Sequence, residues 1–132
     1  MTLAKLIPAA FAAAVLASAI PSAAAADAKG EAQLAKLLDG RVPGAPVHCL
    51  SRTQRDNMQV IDRTALVFRD GKTLYVNRPG GVNFLTWSDV PVFKIWGDQL
   101  CSKDVVNLHD RSSGIGGPAM IMGDFVPYRR AG

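Results

Sequence analysis

The stretch ALVFRDGKTLYVN at residues 65–77 decides the fold class of this chain. Two apolar runs, 65–68 and 73–77, flank a polar centre that contains Asp70 and Gly71. Asp and Gly both tolerate the positive φ of a tight turn, and Asp-Gly between apolar runs is the strongest short-range signal of a β-hairpin. We therefore predict an antiparallel hairpin at these residues.

Further strand signals lie on both sides of the hairpin, at the spacing of about ten residues that is typical of small all-β domains. They cover residues 47–50, 58–62, 91–96, 104–109, 119–122 and 124–128. Within 91–96, alternation places Val92, Lys94 and Trp96 on one face of the strand. Phe93 and Ile95 fall on the other face. The sequence predicts a mainly β fold, a small antiparallel barrel or sandwich of about six to seven short strands.

One short helix is predicted on the N-terminal side of the strands, at residues 29–39. Leu34, Leu37 and Leu38 recur at the spacing of one helix face, and Gly40 follows where a helix commonly ends. We expect this helix to pack on the β domain.

Two segments are expected to be irregular. Residues 41–46 contain two prolines and a glycine, which indicates a connector. Residues 111–118 are rich in glycine but lack the Gly-Lys-Ser/Thr ending of a phosphate-binding loop. We expect a flexible hairpin loop there.

Residues 1–26 have the pattern of a cleaved secretory signal peptide. Lys5 precedes the apolar run 6–20, and the small residues 22–26 end in an Ala-Ala-Ala cleavage site. A membrane-spanning helix needs about 20 apolar residues, so this run is short for an uncleaved membrane anchor, the alternative interpretation. We expect cleavage after residue 26 and a single mature domain at residues 27–132.

The same residues predict the compartment. Cys49 is the first cysteine, which argues against a lipid-modified N-terminal cysteine, and no later segment reaches membrane-spanning length. The expected location is therefore the periplasm, with secretion from the cell as the alternative. The formal net charge of +4 is carried by scattered basic residues, so nucleic acid is not an expected partner.

Cys49 and Cys101 are the two cysteines of the chain, and in an exported protein such a pair predicts one disulfide bond. The bond would stabilise the fold by roughly 4 kcal/mol on the chain-entropy model. Free or intermolecular thiols remain an alternative, as does a zinc site that uses His48 or His109. However, adjacent residues of a strand point to opposite faces, which separates His48 from Cys49. No metal ion or other cofactor is predicted.

A hydrolase is the enzymatic alternative, and it would use an aspartate, His109 and a serine such as Ser112 or Ser113. The chain lacks a Gly-x-Ser-x-Gly motif, and adjacent His109 and Asp110 cannot face each other as a catalytic triad requires. We expect these two residues to end a strand before a Ser-Ser-Gly turn. No catalytic residue is assigned.

The larger aromatic residues are expected to fill the core of the domain in the main. They are Phe84, Trp87, Phe93, Trp96, Phe125 and Tyr128. A ligand groove is the alternative use of such residues. Trp87 and Trp96 lie beside predicted loops, and with His109 they are the candidate ligand-facing residues.

An ordered set of short motifs resembles a group of small exported proteins of unknown function from Gram-negative bacteria. The motifs are VHCL at 47–50, VID at 60–62, YVNRP at 75–79, LCSKDVV at 100–106 and MGDFVPY at 122–128. The resemblance covers most of residues 41–130. It implies a β-rich domain held by a disulfide bond and implies no particular activity or catalytic residue. More distant members carry a second cysteine pair, near the positions of 80–85 and 119–122, which this chain lacks.

These observations lead to a functional hypothesis. We expect a non-enzymatic binding or envelope-associated module, with an envelope protein as the partner to look for. A small periplasmic hydrolase is the first alternative, and a metal-binding protein is the second.

Overall fold

A computed structural model describes residues 22–131, so the predicted signal peptide lies almost wholly outside the described residues. Two helices and ten strands follow one another in this part of the chain. The helices are α1 (Ser22–Leu37) and α2 (Arg52–Arg55). The strands are β1 (Arg41–Pro43), β2 (Cys49–Leu50), β3 (Asn57–Ile61), β4 (Ala65–Asp70), β5 (Thr73–Asn77), β6 (Asp89–Phe93), β7 (Leu100–Cys101), β8 (Val105–Asp110), β9 (Gly116–Ile121) and β10 (Phe125–Arg130).

The strands form three antiparallel sheets. A five-stranded sheet has the order β1-β10-β5-β4-β3, a three-stranded sheet has the order β6-β8-β9, and β2 pairs with β7. The prediction of a mainly β, antiparallel fold with an N-terminal helix is confirmed. The sheets do not close into a barrel, and the strands that were not predicted are the short β1 and β7.

The predicted hairpin is confirmed as β4–β5, with a difference in its turn. Asp70 pairs with Thr73, so the two turn residues are Gly71 and Lys72 rather than Asp70 and Gly71. Gly71 has a φ of 55°, and a positive φ at the first turn position suits glycine.

The five-stranded sheet is buried on both faces, which explains why four consecutive residues at the start of β4 are buried. Leu66 and Phe68 of β4 join the larger core cluster on one face. Ala65 and Val67 join a second cluster with α1 on the other face. Side chains of successive strand residues point to opposite faces, so the first four residues of this strand are all apolar without being helical.

The larger core cluster lies between the five-stranded and the three-stranded sheets. Val106, Leu108 and Met120 of the three-stranded sheet meet Phe68 and Phe125 of the five-stranded sheet. The rings of Phe68 and Phe125 lie 5.8 Å apart between centroids in an edge-to-face arrangement, which aromatic pairs favour. The described chain is therefore layered as helix, five-stranded sheet and three-stranded sheet.

Helix α1 packs on the sheet through the predicted face, but its bounds differ from the prediction. Leu34 is buried in the second cluster, and Leu37 and Leu38 pack against it. The helix begins at Ser22 rather than at residue 29 and ends at Leu37. Gly40 has a φ of 73°, as expected of a glycine that ends a helix.

Gly30 brings α1 close to the turn between β3 and β4. A Cβ atom on Gly30 would lie 1.9 Å from Thr64 Oγ1 and 2.6 Å from the carbonyl oxygen of Asp62. Glu31, the next residue, forms a bidentate ion pair with Arg78, in which Arg78 Nη2 donates to Glu31 Oε2 at 3.0 Å. These hydrogen bonds lower the pKa of Glu31 below its ordinary value.

Two of the segments expected to be irregular contain strands. Arg41–Pro43 pairs with β10 at the edge of the five-stranded sheet, where a proline is tolerated because one side of the strand needs no donor. Gly116–Ile121 pairs with β8, so the expected loop at 111–118 gives way to a strand at Gly116. Within residues 22–131, no helix has both the length and the apolar character needed to cross a membrane.

Candidate functional site: the outer face of the three-stranded sheet

The three-stranded sheet has an apolar face that no other layer of the described chain covers. Its members are Val90 and Val92 of β6, Val105 of β8 and Ile121 of β9, and they are 39–55% exposed. We call these four residues the outer face.

The strand register brings the outer face together. Val105 lies directly opposite Ile121, while Val90 lies opposite His109 and Val92 opposite Asn107. Alternate residues of the same strands point into the core, so the two faces differ in exposure although both are rich in apolar residues.

The two tryptophans are exposed and flank this sheet without forming one pocket. Trp87 precedes β6 and Trp96 follows it, so they lie beyond opposite ends of the strand. Their exposed fractions are 71% and 90%, which is high for a side chain that usually fills the core. His109 lies at the end of the sheet that is nearer to Trp87, because it pairs with Val90. Two of the three candidate ligand-facing residues are thus on the same end of the sheet.

His109 and Asp110 end β8 before a turn, as expected. Asp110 Oδ1 accepts hydrogen bonds from the backbone N–H and the hydroxyl of both Ser112 and Ser113, at 2.7–3.0 Å. These bonds, chiefly the one from the Ser112 hydroxyl, lower the pKa of Asp110 to about 2. His109 Nδ1 lies 3.3 Å from the carbonyl oxygen of Gly114. The two hydroxyls and the carboxylate therefore organise the turn, and His109 contacts a backbone group rather than Asp110.

Cys49 and Cys101 lie directly opposite each other in the β2–β7 ladder, with their Sγ atoms 2.13 Å apart. This arrangement is compatible with the predicted disulfide bond. Ser102 N–H donates to the His48 carbonyl at 2.7 Å beside the pair, so the cysteines occupy a non-hydrogen-bonded position, where Cα atoms approach most closely.

The histidine next to this ladder has a carboxylate partner. His48 Nδ1 lies 3.0 Å from Asp124 Oδ1, and the side chains are 84% and 46% exposed. His109 belongs to a different sheet. In the part of the chain that the structure describes, no group of three or more His, Cys, Asp or Glu residues is placed to hold a metal ion.

The aromatic residues divide between core and surface. Phe125 is buried and Phe93 and Tyr128 pack against the clusters, as expected. The core expectation is wrong for Trp87 and Trp96, and for Phe84, which is 53% exposed in a short 3-10 helix, Val82–Phe84.

The sequence interpretation did not single out the outer face as a site. The alternation within 91–96 correctly separated Val92 from Phe93, which packs against the core. Pairing of β6 with β8, and of β8 with β9, was needed to show that Val105 and Ile121 share this face. Comparison of the chain with protein-family models, curated proteins and solved structures found no match.

Proposed function

We propose that this chain is an exported, non-enzymatic binding module of the bacterial envelope. Its partner is a protein that presents an apolar surface to the outer face. The observation that carries the proposal is the grouping of four exposed apolar side chains, Val90, Val92, Val105 and Ile121, on one face of three paired strands around Asn107 and His109.

Apolar side chains grouped on one exposed face of a small domain commonly mark an interaction site, because their hydration costs free energy that a partner can recover. Exposed tryptophans strengthen this interpretation, since aromatic residues are enriched where protein surfaces meet. Trp96 follows β6 and can lie at the rim of such a contact, whereas Trp87 lines a separate cavity with Lys29 and Gln33 of α1.

Export is the second part of the proposal. It is supported by the signal-peptide pattern of residues 1–26 and by two cysteines at bonding distance, because disulfide bonds persist in oxidising compartments. The intact mass of the protein from the periplasmic fraction tests it. We expect loss of the leader and a gain of about 2 Da on reduction, as two thiols form. An uncleaved chain, or an unchanged mass on reduction, contradicts this part.

Site-specific crosslinking in living cells tests the binding surface. A photo-crosslinking residue is placed at Val92 on the outer face and, as a matched control, at Val42. Both are exposed valines in edge strands, but Val42 lies in β1 of the other large sheet. We expect a discrete adduct from Val92 and none of that mass from Val42.

A surface variant shows whether the apolar contact matters. Ile121→Asp puts a charge on the outer face directly opposite Val105, at an exposed position. The fold is therefore retained, while the Val92 adduct falls severalfold. The proposal is overturned by the same adducts from Val92 and Val42, by no adduct at all, or by an adduct that Ile121→Asp leaves intact.

A further inference from the structure

Three of the four edge strands in the two larger sheets contain a proline. Pro43 lies in β1, Pro91 in β6 and Pro118 in β9. Proline removes a backbone donor and is one of the devices by which natural sheets prevent pairing with another chain. These edges are therefore poor templates for an additional strand.

The fourth edge strand, β3, has neither proline nor charge. Its residues are Asn57, Met58, Gln59, Val60 and Ile61. Among the described residues nothing pairs with its outer edge, since β4 is its one sheet neighbour. An unprotected, uncharged edge of this length is a ready template for strand addition.

The backbone orientation of β3 can be worked out from its turn. Ile61 pairs with Ala65, and its carbonyl accepts the Thr64 N–H at 3.0 Å, so Ile61 directs its backbone groups toward β4. Orientation alternates along an antiparallel strand. Met58 and Val60 consequently direct their N–H and C=O groups away from the sheet, where they can pair with a new strand.

A groove beside this edge supplies a place for side chains. It has a volume of about 500 Å³ and lies on the face of the five-stranded sheet that also carries α1, although none of the described residues of α1 lines it. Val67 and Leu74 lie at its base but are only 2% and 1% exposed, so its accessible lining comes mainly from polar residues such as Asn57 and Gln59. Asp56 and Arg69 add one charge of each sign, so the lining carries no net charge and favours an uncharged polar side chain.

We propose that β3 accepts an extended segment of a partner protein as a sixth strand. Backbone groups of Met58 and Val60 pair with the segment. An uncharged polar side chain of the segment enters the groove beside Gln59, and its apolar neighbours lie on the other face with the side chains of Met58 and Val60. The partner chemistry is an uncharged stretch in which apolar and polar residues alternate, because only alternate side chains of an added strand face the groove. This site is separate from the outer face and does not depend on it.

A second copy of this chain fits the edge less well. Two-fold antiparallel pairing centred on Gln59 sets Asp56 opposite Asp62 of the second copy, and like charges directly opposite are destabilising. Pairing centred on Met58 sets Asp56 against Val60, and pairing centred on Val60 sets Asp62 against Met58. Each arrangement places a carboxylate against a like charge or an apolar side chain.

A display library of short random peptides, selected on the exported protein, provides the probe. Peptides that enrich are synthesised and their Kd is measured by fluorescence polarisation. The test pair is Met58→Pro and Met58→Ala: both remove the same side chain, but only proline removes the outward N–H. We expect enriched peptides with alternating apolar residues, and binding to Met58→Pro that is about fivefold to tenfold weaker than to Met58→Ala, the loss expected for a hydrogen bond and its geometry.

Amide hydrogen exchange of the unmodified protein keeps the test decisive if Met58→Pro does not fold. Bound peptide should slow exchange at Met58 and Val60 and leave Val90 and Val92 unchanged. The proposal is overturned if no peptide enriches, if the two Met58 variants bind alike, or if protection falls on the outer face. It is also overturned if the protein sediments as a dimer that Met58→Pro dissociates and Met58→Ala does not.

Discussion

Gly30→Ala tests how closely α1 lies on the five-stranded sheet. Alanine is the better helix former by about 1 kcal/mol, so the substitution would stabilise an isolated helix. In the folded protein the new Cβ would lie 1.9 Å from Thr64 Oγ1 and 2.6 Å from the Asp62 carbonyl oxygen. Both distances are shorter than any real contact, and the carbonyl belongs to the backbone, so it cannot rotate away. Overpacking costs about 1–3 kcal/mol, and contacts this short place Gly30→Ala at the upper end of that range. With the helix gain subtracted we expect a net loss of about 2 kcal/mol.

Urea unfolding of the exported form measures this loss, and thermal unfolding should show a fall in Tm of about 4–8 °C per kcal/mol for a domain of about 100 residues. Ala35→Gly, at an exposed position of α1, is the control for helix propensity and should cost about 1 kcal/mol. Adding Thr64→Ala to Gly30→Ala removes the hydroxyl but leaves the Asp62 carbonyl. The double variant should therefore recover part of the loss. A Gly30→Ala protein as stable as the parent, or a loss that Thr64→Ala does not alter, would refute the close approach.

Three further predictions concern cysteine, pH and salt. Reduction, or replacement of Cys101 by serine, should lower the free energy of unfolding by roughly 2–4 kcal/mol. The two cysteines are 52 residues apart in sequence, so the bond closes a long loop and restricts the unfolded chain. Equal urea unfolding curves with and without reductant would contradict this prediction. Asp110 has a pKa of about 2 in the fold against about 3.9 in an unfolded chain. Its contribution to the free energy of unfolding is therefore present above pH 4 and is lost as the pH falls toward 2. Asp110→Asn should flatten the decline of Tm over that range, and parallel curves would count against it. Glu31→Gln removes the exposed ion pair with Arg78 and should cost about 0.2–1 kcal/mol at low salt, a difference that shrinks toward 1 M salt; a salt-independent difference argues for packing instead.

The sequence predicted the features that depend only on residues close together in the chain. The β4–β5 hairpin, the leucine face of α1 and the helix end at Gly40 depend on neighbours in the chain, and all are present. The cysteine pair also lies where the prediction needs it. These features follow from turn chemistry, periodicity and cysteine count, which a single sequence contains.

Long-range pairing accounts for what the sequence could not supply. β1 is a three-residue strand in a proline-rich connector, and β7 is a two-residue ladder, so neither has a period to detect. Their strand geometry exists because β10 and β2 lie beside them. The outer face could not be predicted for the same reason, because Val105 and Ile121 become neighbours only through the long-range pairing of β8 with β9.

The position of β10 has a consequence for how the chain acquires its fold. This strand comes last among the described strands, yet it lies inside the five-stranded sheet, between β1 and β5. A chain that emerges from its N-terminal side can form the β3–β4–β5 meander early, but β1 has no neighbour to pair with until β10 arrives. Late closure of distant segments carries the loop-entropy cost that slows folding. During synthesis, the sheet face that holds Phe68 lacks its partner Phe125. The apolar side chains of this face therefore stay exposed to water until β10 pairs with β5.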